Sequence, residues 1–260
     1  MQSIRLYIIR SLKMYGRMLF LEKKMKKILS VIKYFNKTEI IIWSSSVIGI
    51  IVSYCIFDGS NIIRLAAPLI GVTSILLNAK GNPVGQLLMI IFSILYGYIS
   101  FSFAYYGEMI TYLGMTMPMA AVALVSWLRH PYKGKKTEVA VDRLGKREPV
   151  FMLFLSIVVT AVFCFVLRSF NTANIIPSTF SVTTSFVAAY LTFRRSPYFS
   201  LAYALNDIVL LVLWTLASFE SIEYISVVVC FSAFLINDVY ALISWKKMEK
   251  RQMVHNDPKL

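Results

Sequence analysis

The 260-residue chain is 58% hydrophobic and only 15% charged, with a mean hydropathy of +0.67. A water-soluble domain of that composition lacks the polar residues to cover its apolar surface, which excludes the soluble enzyme classes as a starting point. The formal charge of +14 flanks long apolar runs and forms no stripe interleaved with aromatics, so it argues for membrane topology and anionic lipid head groups and against nucleic acid.

Residues 1–38 come first and are basic. Arg5, Arg10, Lys13 and Arg17 interrupt the apolar residues, so no secretion-signal core exists there. The segment reads as an amphipathic helix on the membrane surface. Alternatively, Met25 followed by Lys26 and Lys27 marks an ordinary start, and residues 1–24 are then dispensable. Apolar runs follow at 40–57, 62–79, 84–105, 109–128, 150–168, 174–193, 198–218 and 222–245, each near the ~20 residues that cross a bilayer as a helix. Threaded with the N-terminus inside, 25 of the 27 Lys and Arg residues lie on one side, in 1–39, at Lys80, in 129–149, at Arg194 and Arg195, and in 246–260. Only Arg64 and Arg168 fall outside, beside Asp58, Glu108, Glu220 and Glu223. Both termini are therefore expected in the cytoplasm.

The spans contain a repeat. Val72-Thr73 recurs as Val182-Thr183, Pro83 as Pro197, and Ser126-Trp127 as Ser244-Trp245, at offsets of 110, 114 and 118 residues. Three helices make each unit, and a single reversing helix between them makes the two units parallel. The expected order is an extra helix at 39–57, a first repeat at 61–128, a basic loop at 129–149, a linker helix at 150–168, a second repeat at 174–245 and a tail at 246–260. Parallel repeats are a transporter plan, with substrate held near the midplane between them.

Polar residues inside the spans are the candidates for function, because an ionisable group at membrane depth costs roughly 2.5–3.5 kcal/mol to insert. Two carboxylates qualify, Asp207 and Asp238, each preceded by an asparagine, Asn206 and Asn237. Ser200, Tyr203, Asp207, Leu210 and Trp214 share one helical face. Comparable stripes are Gln86, Ser93, Tyr96 or Gly97, and Ser100 on the third span; Tyr112, Met115 and Met119 on the fourth; Thr179, Thr183 and Tyr190 on the sixth; and Phe231, Asp238 and Trp245 on the eighth. Aromatic walls with amides, hydroxyls and one or two acids suit a small ring-bearing polar molecule, a cation included.

Plainer readings stand beside these. Ser, Thr and Asn commonly bond across helices, and Trp43, Trp127 and Trp245 near span ends read as interface anchors. Asp238 is close enough in sequence to pair with Lys246 or Lys247, and the glycines at 71, 81, 85 and 97 suit hinges or close packing. Cys55, Cys164 and Cys230 sit in three different runs, and His130 and His255 lack a second ligand at useful spacing. Neither a metal site nor a disulfide framework is expected, and no cofactor is implied. No nucleotide-binding loop, zinc-protease helix or serine-nucleophile motif is present. A non-transporting binding component or scaffold is the alternative from another class.

Asn78-Ala79-Lys80-Gly81, Ile94-Leu95-Tyr96-Gly97-Tyr98-Ile99-Ser100, Tyr105-Tyr106-Gly107-Glu108 and Pro118-Met119 resemble the PnuC family of bacterial vitamin transporters, as does the run from Leu191 to Asp207. The similarity covers about residues 40–248 and is most specific from Lys80 to Met119. It implies an all-α membrane protein with a 3+1+3 SWEET-like core, a homotrimer, and carriage of nicotinamide riboside across the bacterial plasma membrane by facilitated diffusion. A separate kinase then traps the substrate. The chain departs from many such carriers at the start of the seventh span, where Ser200 and Tyr203 stand in place of tryptophans that contact the substrate ring. Relatives in the family are assigned to thiamine or riboflavin, and Asp207 favours a cation over neutral riboflavin. The expected binding set is Asp207, Asn206, Tyr203, Ser200, Trp214, Gln86, Tyr96, Asn237 and Asp238.

Overall fold

The computed structural model describes residues 34–172 and 174–256. The expectation that residues 1–24 are dispensable lies outside them. Residues 34–41 belong to a separate unit, and in them the Asn36 and Glu39 side chains accept from each other's backbone N–H at 2.8 Å, a capping box. The account below concerns residue 42 onward.

Among the described residues, eight helices are long and apolar enough to cross a membrane, as the hydropathy pattern predicts. They are α1 (Lys37–Phe57), α2 (Ile62–Ala79), α3 (Val84–Ser102), α4 (Tyr106–Arg129), α5 (Glu148–Ser169), α6 (Ile175–Phe193), α7 (Phe199–Ser218) and α8 (Ile225–Asn256). Several ends differ from the sequence reading by a few residues, two of them for visible reasons. Helix α3 stops at Ser102 because Ala104 turns the backbone left-handed, with φ +58°, before α4 begins. Helix α8 runs eleven residues past Trp245, since the charges after it, such as Lys246 and Glu249 at 3.3 Å, are well accommodated on a helix in water.

Helix α4 is not uniform. A wide π-helical turn at Tyr112–Thr116 interrupts it just before Pro118, whose missing N–H removes one ladder bond. The basic loop also holds more order than its composition suggests. A two-stranded antiparallel hairpin, β1 (Pro131–Tyr132) and β2 (Lys135–Val139), turns at Gly134 with φ +75°. It docks on the α8 extension, where Gln252 donates to the Val139 carbonyl and accepts from the Val141 N–H at 2.8 Å.

The two three-helix units, α2–α4 and α6–α8, trade contacts. Each unit's third helix packs on the first helix of the other, α8 on α2 and α4 on α6. The hydrogen bonds follow the same exchange. Ser126 Oγ donates to the Phe193 carbonyl and Ser244 Oγ to the Ala79 carbonyl. Trp127 Nε1 donates to the Thr192 carbonyl at 2.9 Å and Trp245 Nε1 to the Asn78 carbonyl at 2.7 Å. The turns before Pro83 and Pro197 match as well, with Gly81 at φ +67° and Arg195 at φ +55°; the N–H groups of Gly81 and Asn82 bond the Asn78 and Leu77 carbonyls, as those of Arg195 and Ser196 bond the equivalent Thr192 and Leu191 carbonyls. Such reciprocal bonds are what parallel copies would make. Helix α5 lies outside this exchange, packs chiefly on α6 and leaves 11% of its apolar window buried, against 56% for α6.

Trp127 and Trp245 are therefore not interface anchors. Both are fully buried, with ring centroids 5.5 Å apart at the basic end of the bundle. Their indole N–H groups are second donors to carbonyls at helix C-termini, which also accept the Gly81 and Arg195 N–H groups of the following turns.

Candidate functional site

A cavity lies between the two units, and equivalent positions line it. Met89 and Tyr203, Phe92 and Asn206 are pairs at the 114-residue offset, Thr116 and Phe234 at the 118-residue offset, and all six face it. The chemistry of the two copies has diverged. The first unit supplies Met89, Phe92, Tyr112, Thr116 and Asn78, while the second supplies Tyr203, Asn206 and both acids, Asp207 and Asp238. The void is about 20 Å³, room for one water molecule. A ring-bearing molecule enters only if aromatic side chains swing away.

Asp207 on α7 and Asp238 on α8 are buried, and their carboxyl groups lie within hydrogen-bonding reach of one another. Oδ2 of Asp207 has no partner among the described residues. Asp238 does not pair with Lys246, which bonds Glu249 instead. No lysine or arginine lines the cavity, so among the described residues it presents acids, amides, hydroxyls and rings. An anionic ligand finds no countercharge there.

Other candidates from the sequence fall into three places. Asn206 lines the cavity, and its Oδ1 accepts from Thr184 at 2.7 Å and Ser185 at 2.9 Å, which orients its amide. Gln86 reaches the cavity through Asn78, donating to Asn78 Oδ1 at 2.9 Å, with its own Oε1 buried and without a partner among the described residues. Gly85 lets α2 and α3 meet there, because a Cβ would collide with the Asn78 amide. Ser200, the repeat equivalent of Gln86, is buried beside this region with its Oγ likewise unmatched.

Tyr96 and Trp214 sit farther along the axis and not in the cavity wall. Trp214 Nε1 donates to Tyr96 Oη at 2.8 Å, and Tyr105, Phe103 and Tyr224 pack around the indole. Beyond Phe92 and Tyr96 a second void of about 20 Å³ opens toward Arg64 at the far end. Phe92 borders both voids, and with Tyr96, Tyr112, Phe231 and Phe234 it forms the aromatic partition between them. Asn237 points elsewhere. It donates to Ser46 Oγ on α1 at 2.9 Å and to the Ala233 carbonyl at 2.7 Å, the cross-helix bonding weighed for in-span asparagines. The α6 stripe also turns from the cavity, since Thr183 meets Thr160 of α5 at 2.8 Å and Tyr190 donates to Glu148.

These features give the chain a cavity between duplicated units in a multi-span membrane protein. The family model for nicotinamide mononucleotide transporters matches residues 61–247, well over half of the chain. The chain belongs to that family. It is accordingly a multi-pass membrane transporter and not an enzyme. Among the proteins similar to this family member, the nicotinamide riboside transporter PnuC of Neisseria mucosa is 26% identical over 244 residues, 89% of this chain and 92% of the relative. A crystal structure of the vitamin B3 transporter PnuC shares the fold, with a TM-score of 0.74 at 24% identity over 84% of this chain and 94% of that one.

Among the buried acids, Glu108 is one that the sequence reading places elsewhere. Glu108 was expected at the far-side surface, yet it is fully buried in the first turn of α4, held by Ser181 Oγ at 3.5 Å, with Oε1 lacking a partner among the described residues. The signal was available. Four residues before Tyr112, Glu108 extends the Tyr112, Met115, Met119 stripe by one turn.

Proposed function

We propose that this transporter carries nicotinamide riboside, a pyridinium-bearing nucleoside, across the bacterial plasma membrane by facilitated diffusion, with both termini in the cytoplasm and a homotrimer as the working assembly. Phosphorylation by a separate kinase then traps the substrate inside. The acid pair carries this reading: Asp207 and Asp238 face a cavity otherwise lined by aromatic, aliphatic, amide and hydroxyl side chains, and its described lining holds no basic residue. Rings stack against Phe199, Tyr203 and Phe92, and the positive charge sits by the carboxylates. The same lining opposes nicotinamide mononucleotide, because its phosphate would enter beside two acids. The name of the Neisseria relative supports the substrate, and the excess of Lys and Arg at one end supports the orientation.

A second reading is thiamine, also a cation. It is favoured by Ser200 and Tyr203 standing where many nicotinamide riboside carriers of the family have tryptophan, and by the presence of two acids.

Thermal stabilisation of the detergent-purified protein by nicotinamide riboside, thiamine, riboflavin and nicotinamide mononucleotide tests both readings, because a ligand that binds the folded state raises its apparent stability. A shift with nicotinamide riboside that vanishes in Asp207→Asn supports the proposal. A shift with thiamine alone replaces the substrate, and a shift with the mononucleotide that survives Asp207→Asn overturns the acid-pair role.

A further inference from the structure

Away from the substrate cavity, an open groove of about 510 Å³ runs between α4 and α6 to the basic end of the bundle. Its walls are apolar, with Val122 and Val125 48% and 46% exposed at membrane depth. Four basic side chains close its end, and they are not equally occupied. Arg194 is ion-paired with Glu148 and Asp142. Arg195 bonds Asp142 at 3.0 Å, Ser126 Oγ at 3.0 Å and the Ala140 carbonyl at 3.1 Å. Burial draws the Arg195 guanidinium below its usual range, and the facing Asp142 offsets part of this. Arg129 is exposed and makes no ion pair or hydrogen bond among the described residues. The exposed His130 uses Nδ1 against Arg195 and the Ser126 carbonyl, and its Nε2 has no partner among those residues.

We propose that this groove binds an anionic phospholipid, its phosphate on Arg129 and His130 and one acyl chain along Val122 and Val125. The argument is complementarity in two parts at once. A soluble phosphate has no use for the apolar wall, and a zwitterionic lipid gains little from an unpaired guanidinium at the head-group level. Arg194 and Arg195 keep the loop docked through Asp142 and shape the groove, while Arg129 is left to meet the ligand. The site depends on the chain's place in the membrane and not on which vitamin it carries. It abuts the closure of the bundle, because Arg195 donates to Ser126, the neighbour of Trp127.

Native mass spectrometry of the detergent-purified full chain, titrated with phosphatidylglycerol, phosphatidylcholine or glycerol 3-phosphate, tests this directly. Phosphatidylglycerol is expected to bind best, and the Arg129→Gln/His130→Gln variant to bind it about fivefold or more weakly, with phosphatidylcholine unchanged. Val125→Trp provides a second variant that leaves the charges in place; it is expected to weaken phosphatidylglycerol and not glycerol 3-phosphate. Equal phosphatidylglycerol binding by wild type and the double variant overturns the proposal. So does glycerol 3-phosphate binding as tightly as the lipid, which would make the ligand a soluble organophosphate. Unaltered lipid binding with a changed oligomeric state in Val125→Trp would assign the groove to a second copy of the chain and overturn the proposal as well.

Discussion

At the basic end, Trp127 and Trp245 each give an indole N–H to a backbone carbonyl of the opposite three-helix unit, whereas at the far end Phe103, Tyr105, Trp214 and Tyr224 fill the axis and the bonds across the units, such as Trp214 to Tyr96 and Arg64 to Glu223, run from side chain to side chain. The basic end is symmetric, and its acceptors are fixed parts of helices. Breaking it requires α2 or α6 to shift, or two fully buried indoles to swing out. The far end is asymmetric and held by side chains that leave by changing rotamer. Access to the cavity from that end therefore needs less motion than access from the basic end, and the two closures should respond differently to small substitutions.

The largest effect is expected from Trp127→Phe with Trp245→Phe, which keeps the rings and removes both N–H groups. Cross-helix bonds in membranes contribute roughly 0.6 kcal/mol on average and up to about 1.7, so the pair costs up to roughly 3 kcal/mol, measured as a lowered thermal midpoint in detergent. An unchanged midpoint would remove the distinction between the ends. Glu108→Gln, at the far end, keeps the shape of a buried acid. Substrate uptake into vesicles is expected to fall roughly tenfold, the worth of one buried hydrogen bond, while the fold persists. Uptake equal to wild type would make Glu108 a packing residue. Tyr96→Phe should lower the midpoint by roughly 1 kcal/mol through the stranded Trp214 N–H, with uptake retained because the rotamer-gated end still opens. Loss of all uptake in that variant would show the Tyr96–Trp214 bond to be part of the transport cycle. The smallest change is Arg64→Gln, which breaks the pairs to Asp58 at 3.1 Å and Glu223 at 2.7 Å on the far surface. The pair to the half-exposed Glu223 contributes about 0.2–1 kcal/mol and weakens with salt, so that part of the difference from wild type should narrow as salt is raised.

Much of the architecture was legible in the chain. Hydropathy located eight spans, and three short matches at offsets near 114 residues pointed to a duplication whose reciprocal hydrogen bonds the structure displays. The candidate site was legible in part. Asp207, Tyr203, Asn206 and Asp238 line one cavity, and their spacing had placed the first two on a common face. Asn237 lies one residue from Asp238 yet bonds Ser46 of α1, because adjacent positions on a helix point about 100° apart and only the neighbouring helix decides what each meets. Trp127 and Trp245 looked like anchors because span ends usually lie at the interface. Their burial depends on the partner unit standing opposite, which no local pattern reports. Glu108 was assigned to the surface for a similar reason, since its charge outweighed the stripe it extends.

By itself, the sequence determined that this is a membrane protein, how many times it crosses and where its basic loops gather, because those properties follow from the transfer of local segments between water and hydrocarbon and add along the chain. Only the tertiary structure decided that the second unit carries the acids of the shared cavity, that an aromatic partition separates two voids, and that one end is closed by backbone bonds and the other by side chains. Those outcomes depend on which faces of distant helices meet, and in a membrane that is settled by packing and hydrogen bonding between helices more than by hydrophobicity.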